Sequence, residues 1–346
     1  MSGLREKMIS AGFAAFGATG LHRLAAPLTR GLGAILMFHH VRPWVEREFA
    51  PNRLLEITPD FLDAALGLVK ARGFDMVDLD TALERIDGPG EAPFVVLTFD
   101  DGYRDNVEHA LPMLEKHAAP FTVFVTAGFA DRTARLWWVE LDEAIRRLDR
   151  VALDGLEFST RSAAEKQRAF AILYRTLRAG PEARLLEVCA DFCAQACIEP
   201  SDIPAELCLD WAGIERLSAH PLATIGVHTL THPMLAKHSE AFVREELAES
   251  RARIEQALGT PARHLAYPVG DPTSAGPREF LIARELGFTS AVTTRPGMIF
   301  AEHAAHTTAL PRVSVNGCYQ SLEMLDILLS GAPFALWNRG RRVNAA

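Results

Sequence analysis

The chain has no excess of positive charge. Its 346 residues hold 36 Lys and Arg against 44 Asp and Glu, a formal net charge of −8. Without basic runs it carries no footprint for nucleic acid, which is excluded as a main partner. A neutral polymer such as an N-acetylated glycan would not be repelled. Cysteine is scarce and odd in number: Cys189, Cys193, Cys197, Cys208 and Cys318 are not spaced as a disulfide framework. Reduced thiols suit the cytoplasm. Cys189, Cys193 and Cys197 recur every four residues in Glu182 to Ile198, which reads as a helix. There they are expected to pack as small apolar groups. No apolar run is long enough to cross a bilayer, and neither internal repeats nor low-complexity segments are present. The nearest approach is Met8 to Leu21, behind Arg5 and Lys7 and interrupted by Gly12, Gly17 and Gly20. Residues 1–33 are read as an amphipathic segment that packs on the body or touches a membrane surface. No clear small-x-small cleavage site follows, so a secretion signal is the weaker reading.

What is present is an alternation of strands and helices. Ala34 to Phe38 is an apolar strand that ends in His39-His40. Thr58 and Pro59 predict a helix N-terminus, and Gly73 its stop. Phe74 to Leu79 is a predicted strand, Asp80 to Ile86 a helix, and Phe94 to Leu97 a strand buried on both faces. Asn106 to His117 reads as a helix and Phe121 to Val125 as a strand. From about residue 131 to 219 strand signals give way to helical ones, beginning at Trp137 and Trp138, whose rings are expected in a core. Alternation then resumes with strands at Thr224–Val227, Arg263–Tyr267, Ser290–Thr293 and Leu310–Val315. A helix capped by Ser239, one over Pro277 to Leu286 and a last one over Ser321 to Leu329 lie among and after them. After Gly331 a short frayed tail is expected.

This pattern predicts an α/β fold of parallel strands joined by crossover helices. The expected form is a closed or nearly closed barrel, residues 34–330, with a helical insertion at about 131–219 and a tail at 331–346. In such barrels chemistry gathers at the C-terminal strand ends. His39, Asp100, Asp101, His228 and Tyr267 all fall at such ends.

Two carboxylates side by side, Asp100 and Asp101, repel unless a positive group lies beside them. His228-Thr229-Leu230-Thr231-His232 sets two imidazoles four residues apart. Two histidines and one carboxylate make a three-ligand set for zinc or a related divalent metal, with a position left open for water. The second carboxylate is then free to act as a base.

Three ordered motifs, Thr98-Phe99-Asp100-Asp101-Gly102, His228-Thr229-x-x-His232-Pro233 and Tyr267-Pro268-x-Gly270, resemble those of the polysaccharide deacetylases. These are the NodB-type, carbohydrate esterase 4-like enzymes, with a distorted (β/α)7 TIM-like barrel. The resemblance implies that Asp101, His228 and His232 hold the metal and that Asp100 is the general base. It also implies that the Tyr267 backbone N–H helps form an oxyanion hole. No late histidine fits the family's catalytic acid, whereas Ile35-Leu36-Met37-Phe38-His39 does. That order is similar to the circularly permuted branch, which includes poly-N-acetylglucosamine deacetylases. His39 is therefore the candidate acid, with His40 next. The arginine that often precedes the Tyr-Pro pair is absent from its place, and Arg312 is expected to orient Asp100 instead. No residue is identified as the support of the acid histidine. The implied reaction is metal-dependent N-deacetylation of a GlcNAc-containing glycan: an exopolysaccharide, its lipid-linked precursor or a chitooligosaccharide. The expected metal is Zn2+, with Co2+ or Ni2+ as alternatives. An O-acetyl esterase or non-sugar amidase on the same barrel, and an inactive carbohydrate-binding barrel, are the competing readings.

Overall fold

The computed structural model describes residues 16–17, 19–88 and 92–345. Most of the apolar Met8–Leu21 run lies outside the described residues. Seven parallel strands close into a barrel: β1 (Gly33–Phe38), β2 (Phe94–Phe99), β3 (Phe121–Val125), β4 (Ala223–Val227), β5 (His264–Ala266), β6 (Ser290–Pro296) and β7 (Leu310–Ser314). Their order around the barrel is their order in the chain, and β1 closes the ring by pairing with both β2 and β7. The fold is the (β/α)7 barrel expected.

The side-chain alternation of a strand explains why these segments are apolar throughout. Along β1, Ile35 joins Val96, Phe124, Ala266 and Val292 in one buried group. Its neighbours Ala34, Leu36 and Phe38 join Leu97, Phe99 and Val313 in another, packed beneath the helices. Pairing is uneven, which distorts the barrel. β1 and β2 match over six residues from Gly33↔Phe94 to Phe38↔Phe99. β4 and β5 share only Leu265↔Val227, and β6 slips against β7 between Val292 and Pro296.

Local chemistry sets most helix limits. Thr58 Oγ1 accepts the Phe61 N–H at 3.2 Å and starts the helix Pro59–Ala71. Ser239 does the same for Glu240–Leu258. The predicted strand at Phe74–Leu79 is only Asp75–Met76, an edge pairing on β2. The predicted helix at Asn106–His117 divides into a wide turn, Asn106–Ala110, and a helix, Leu111–Lys116.

Between β3 and β4 lie the helices Trp137–Arg147, Ala163–Ala179, Glu182–Gln195, Asp202–Leu207 and Trp211–Ser218. The first four share a core of their own that includes Leu141, Ile145, Leu173, Leu185 and Phe192, whereas Ile214 and Leu217 of Trp211–Ser218 join the group packed beneath the barrel helices. This segment is not wholly helical. Arg150–Leu153 and Leu156–Ser159 form an antiparallel hairpin across Asp154-Gly155, both at positive φ (51° and 80°). An Asp-Gly pair is the sequence signal for that turn. The helix over the cysteines stops at Gln195, and Cys197 (φ 53°) is exposed while Cys189 and Cys193 are buried. The three thiols therefore do not form one packed stripe. Nor does the chain fray after Gly331: Ala332–Trp337 is a helix that buries Phe334 and packs on the helix Leu21–Thr29.

At the bottom of the barrel, a Cβ on Gly33 would stand 2.1 Å from the Phe94 carbonyl oxygen. Gly33→Ala should therefore lower stability by about 1–3 kcal/mol, the usual cost of overpacking. The measurement is a urea midpoint, and an unshifted midpoint would show that the β1–β2 seam gives way freely.

Candidate active site

Strand β2 ends at Phe99 and leads directly into Asp100, and the residue after that breaks its alternation. Asp101 has φ 73° and Gly102 φ 66°, the left-handed region that L residues other than glycine rarely enter. This turn brings both carboxylates to the mouth of the barrel, where both are almost fully buried.

Each carboxylate has its own partners. Arg312, on β7, grips Asp100 with two parallel hydrogen bonds: Nη1 donates to Oδ1 and Nη2 to Oδ2, each at 2.7 Å. The guanidinium is itself fixed, since Nε donates to the Thr293 carbonyl at 2.9 Å and Nη1 reaches Thr98 Oγ1 at 3.2 Å. Burial pushes the Asp100 carboxyl upward. The charges of Arg312 and His228 outweigh it and hold the carboxyl below its ordinary value. Asp100 is thus kept ionised and aimed, as expected of Arg312.

Asp101 faces the two histidines instead. Its Oδ1 lies 3.4 Å from His228 Nε2 and 3.3 Å from His232 Nε2. That buried oxygen has no hydrogen-bond partner among the described residues. The ligand atoms of these three residues lie within 4.8 Å of one another, all buried. His228 Nδ1 pairs with the Ala266 carbonyl at 2.7 Å. That bond fixes the proton on Nδ1 and leaves Nε2 as a lone-pair donor. The orphaned carboxylate oxygen and two imidazole donors fit a divalent metal ion.

His232 is held by its surroundings. It sits at φ 62°, and its ring packs against both Phe129 and Trp138, with centroids 5.8 and 4.7 Å away. Trp137 and Trp138 are buried, as expected. The loop between the histidines hangs on the helix Glu240–Leu258. Glu246 accepts the Leu230 and Thr231 N–H groups, both at 2.9 Å, and Ser250 Oγ donates to the Thr229 carbonyl at 2.7 Å. The sequence reading missed Glu246. Its signal was a carboxylate and a serine on the stripe that also carries Val243, Leu247 and Ile254.

His39 follows β1, and its Nε2 lies 4.0 Å from Asp100 Oδ2. Burial, partly offset by Asp100 and Asp101, sets its pKa below the ordinary imidazole value. His40 turns elsewhere: Nδ1 pairs with Asp105 Oδ2 at 2.6 Å, and its ring stacks on Tyr103 at 3.5 Å between centroids. The expectation for Tyr267 needs correction. Its N–H donates to the Val292 carbonyl at 3.1 Å, closing the β5–β6 pairing, and its hydroxyl donates to Thr308. A backbone donor engaged in the sheet is not free for an oxyanion.

Residues 87–291 match the family model described as polysaccharide deacetylase. The chain belongs to the polysaccharide deacetylase family. The matched stretch carries Asp100, Asp101, His228 and His232, while His39 and Arg312 lie outside it. No curated protein matches the sequence. Among solved structures, it is similar to IcaB from Ammonifex degensii at 21% identity, covering 87% of this chain and 98% of that one, with a TM-score of 0.55. It is also similar to the Streptococcus pyogenes deacetylase PplD in complex with acetate, at 18% identity over 82% and 92% of the two chains, TM-score 0.55. A de-N-acetylase from Aggregatibacter actinomycetemcomitans shares 13% identity over 82% and 95%, TM-score 0.52. These likenesses show the fold.

Removing one partner of the buried Arg312–Asp100 pair strands the other, which costs about 3–5 kcal/mol. Arg312→Ala should unfold at correspondingly lower denaturant than the wild type. A variant as stable as the wild type would mean that Asp100 finds another counter-charge.

Proposed function

We propose that the protein is a metal-dependent N-deacetylase of a GlcNAc-containing glycan, giving glucosamine units and acetate. The observation that carries this reading is the meeting of Asp101, His228 and His232 beside a separately clamped Asp100 and an imidazole, His39. Within this reading Asp101, His228 and His232 hold the cation. Two nitrogen donors and one oxygen donor favour Zn2+, with Co2+ or Ni2+ able to replace it. When bound, the cation supplies polarisation of the acetyl carbonyl and acidifies a water molecule.

The chain's own residues do the rest. Asp100, kept ionised by Arg312, accepts the proton of the attacking water. His39 gives its proton to the sugar nitrogen as the amide C–N bond breaks. The water oxygen ends in acetate, and the amine leaves neutral and then gains a proton from solvent. Phe129 and Trp138 keep the His232 side of the site dry, which strengthens each of these charge interactions.

The test is acetate release from defined N-acetylglucosamine oligomers. Chelation should abolish it, and added Zn2+ should restore it. Asp100→Asn should reduce turnover by roughly 10²–10⁴-fold, the usual worth of a general base, with metal content retained. Release from O-acetylated glycans alone would select the esterase reading. Activity that survives chelation would overturn the role of the cation.

The enzyme meets its substrate at an anionic membrane surface, which suits a lipid-linked precursor. No helix among the described residues is long and apolar enough to cross a membrane. Instead Leu21, Leu24 and Leu28 stand 52–80% exposed along one helix. The helix packed against it presents Leu336 and Trp337, 71% and 63% exposed. Arg339 and Arg341 lie beside this patch, exposed, in a chain of net charge −8. Apolar side chains with a basic rim match an anionic bilayer. Leu24→Glu/Trp337→Glu should lose co-sedimentation with phosphatidylglycerol vesicles while keeping acetate release from soluble oligomers. Equal sedimentation of both proteins would exclude the contact.

A further inference from the structure

Beside the site lies a cleft whose charge the hydrolysis does not use. Its volume is about 510 Å³, within the roughly 300–1,000 Å³ range of small-ligand pockets. One wall comes from the segment after β1, the other from the insertion. Trp138 joins the two regions: it lines the cleft and packs on His232.

Six carboxylates line the cleft against three arginines. Glu56 is answered by Arg42 and Arg47, at 2.6 and 2.9 Å, and Asp142 by Arg146 at 2.6 Å. Glu199, Asp202 and Glu206 make no ion pair among the described residues, and all three are exposed. An acidic rim alone proves little, since solvated carboxylates are common. A second feature points to a ligand. His40 lines the same cleft and is 4% exposed. Its Nδ1 is taken by Asp105 Oδ2, and Asp105 Oδ1 in turn accepts the Val41 N–H at 3.1 Å. Nε2 has no hydrogen-bond partner among the described residues. A buried imidazole, carried by a carboxylate and stacked on Tyr103, therefore keeps one ring nitrogen for what enters the cleft.

We infer that this cleft is a subsite for glucosamine units of the same glycan, those already stripped of acetyl. The argument rests on the deacetylase reading above. The substrate unit is a neutral acetamido sugar, and the product unit is an ammonium ion at neutral pH. Only the second gains from uncompensated carboxylates. Glu199, Asp202 and Glu206 meet the ammonium group, while His40 Nε2 meets a ring hydroxyl. A chain with free amines next to its remaining acetyl groups is thereby held in place for the next cut. The cleft makes this family member prefer partly deacetylated polymer.

The test uses the full chain, loaded with Zn2+, and calorimetry with a glucosamine tetramer. The wild type should bind it, and rising ionic strength should weaken binding, because exposed charges are screened. Asp202→Asn/Glu206→Gln should bind it about tenfold more weakly, the scale of one charge-assisted contact. Both side chains are exposed, so folding is not at stake. His40→Gln should weaken it as well. The same double variant should lose less affinity for an N-acetylglucosamine tetramer, measured in the Asp100→Asn background to prevent turnover. No binding of the glucosamine tetramer by the wild type, or equal losses for both tetramers, would overturn the subsite. A wild type that binds the glucosamine tetramer but releases acetate from no oligomer would overturn the deacetylase reading and leave the subsite standing.

Discussion

The ion pair between Arg312 and Asp100 ties the last strand of the barrel to the second, across the strand that lies between them. It is wholly buried, so neither group can fall back on water. Each must hold the other, and the geometry is fixed by that need. The pair also separates two adjacent carboxylates by role. Asp100 has a permanent organic cation, the Arg312 guanidinium, and stays ionised. Asp101 faces two imidazole nitrogens instead, and its Oδ1 has no hydrogen-bond partner among the described residues.

Backbone strain gathers around the same point. Asp101, Thr229 and His232 all sit at φ between 62° and 73°. Residues so placed persist only where the surroundings over-determine them. Here the surroundings are identifiable. Glu246 and Ser250 hold the histidine loop from outside, and Thr126 Oγ1 donates to the His228 carbonyl at 2.8 Å. The loop after Gly102 is held from the other side, where the Leu209 N–H donates to the Gly102 carbonyl at 2.9 Å and the Arg104 N–H to the Leu207 carbonyl at 2.8 Å.

Those last bonds give the insertion a part in the site. Its chain from Trp137 to Ser218 supplies Trp138 to the ring of His232, braces the Asp-Asp-Gly turn and forms one wall of the acidic cleft. A segment that reads as an insertion thus helps set the shape and charge around the mouth of the barrel.

Much of this was legible in the residues alone. Apolar runs such as Phe94–Leu97 and Phe121–Val125, short and rich in β-branched and aromatic residues, read as strands buried on both faces, and their alternation with helices pointed to a parallel barrel. The Thr58 and Ser239 caps located their helices because capping is a bond made within four residues. Asp100, Asp101 and His228 were legible as polar groups at strand ends, and Arg312 as a partner for Asp100 on another strand. What the residues alone did not settle is long-range. Tyr267 was expected to offer its N–H, but whether a backbone donor is free depends on where the next strand pairs, and Val292 takes it. The hairpin at Asp154-Gly155 was hidden by helical signals on both sides, and the helix after Gly331 takes its stability from packing on Leu21–Thr29. His40 and His39 are adjacent and chemically identical, yet only one reaches Asp100. The sequence by itself determined which groups could do chemistry, because side-chain type and local spacing are written in it. Tertiary structure decided which groups meet, because burial and pairing between distant strands set every distance that matters.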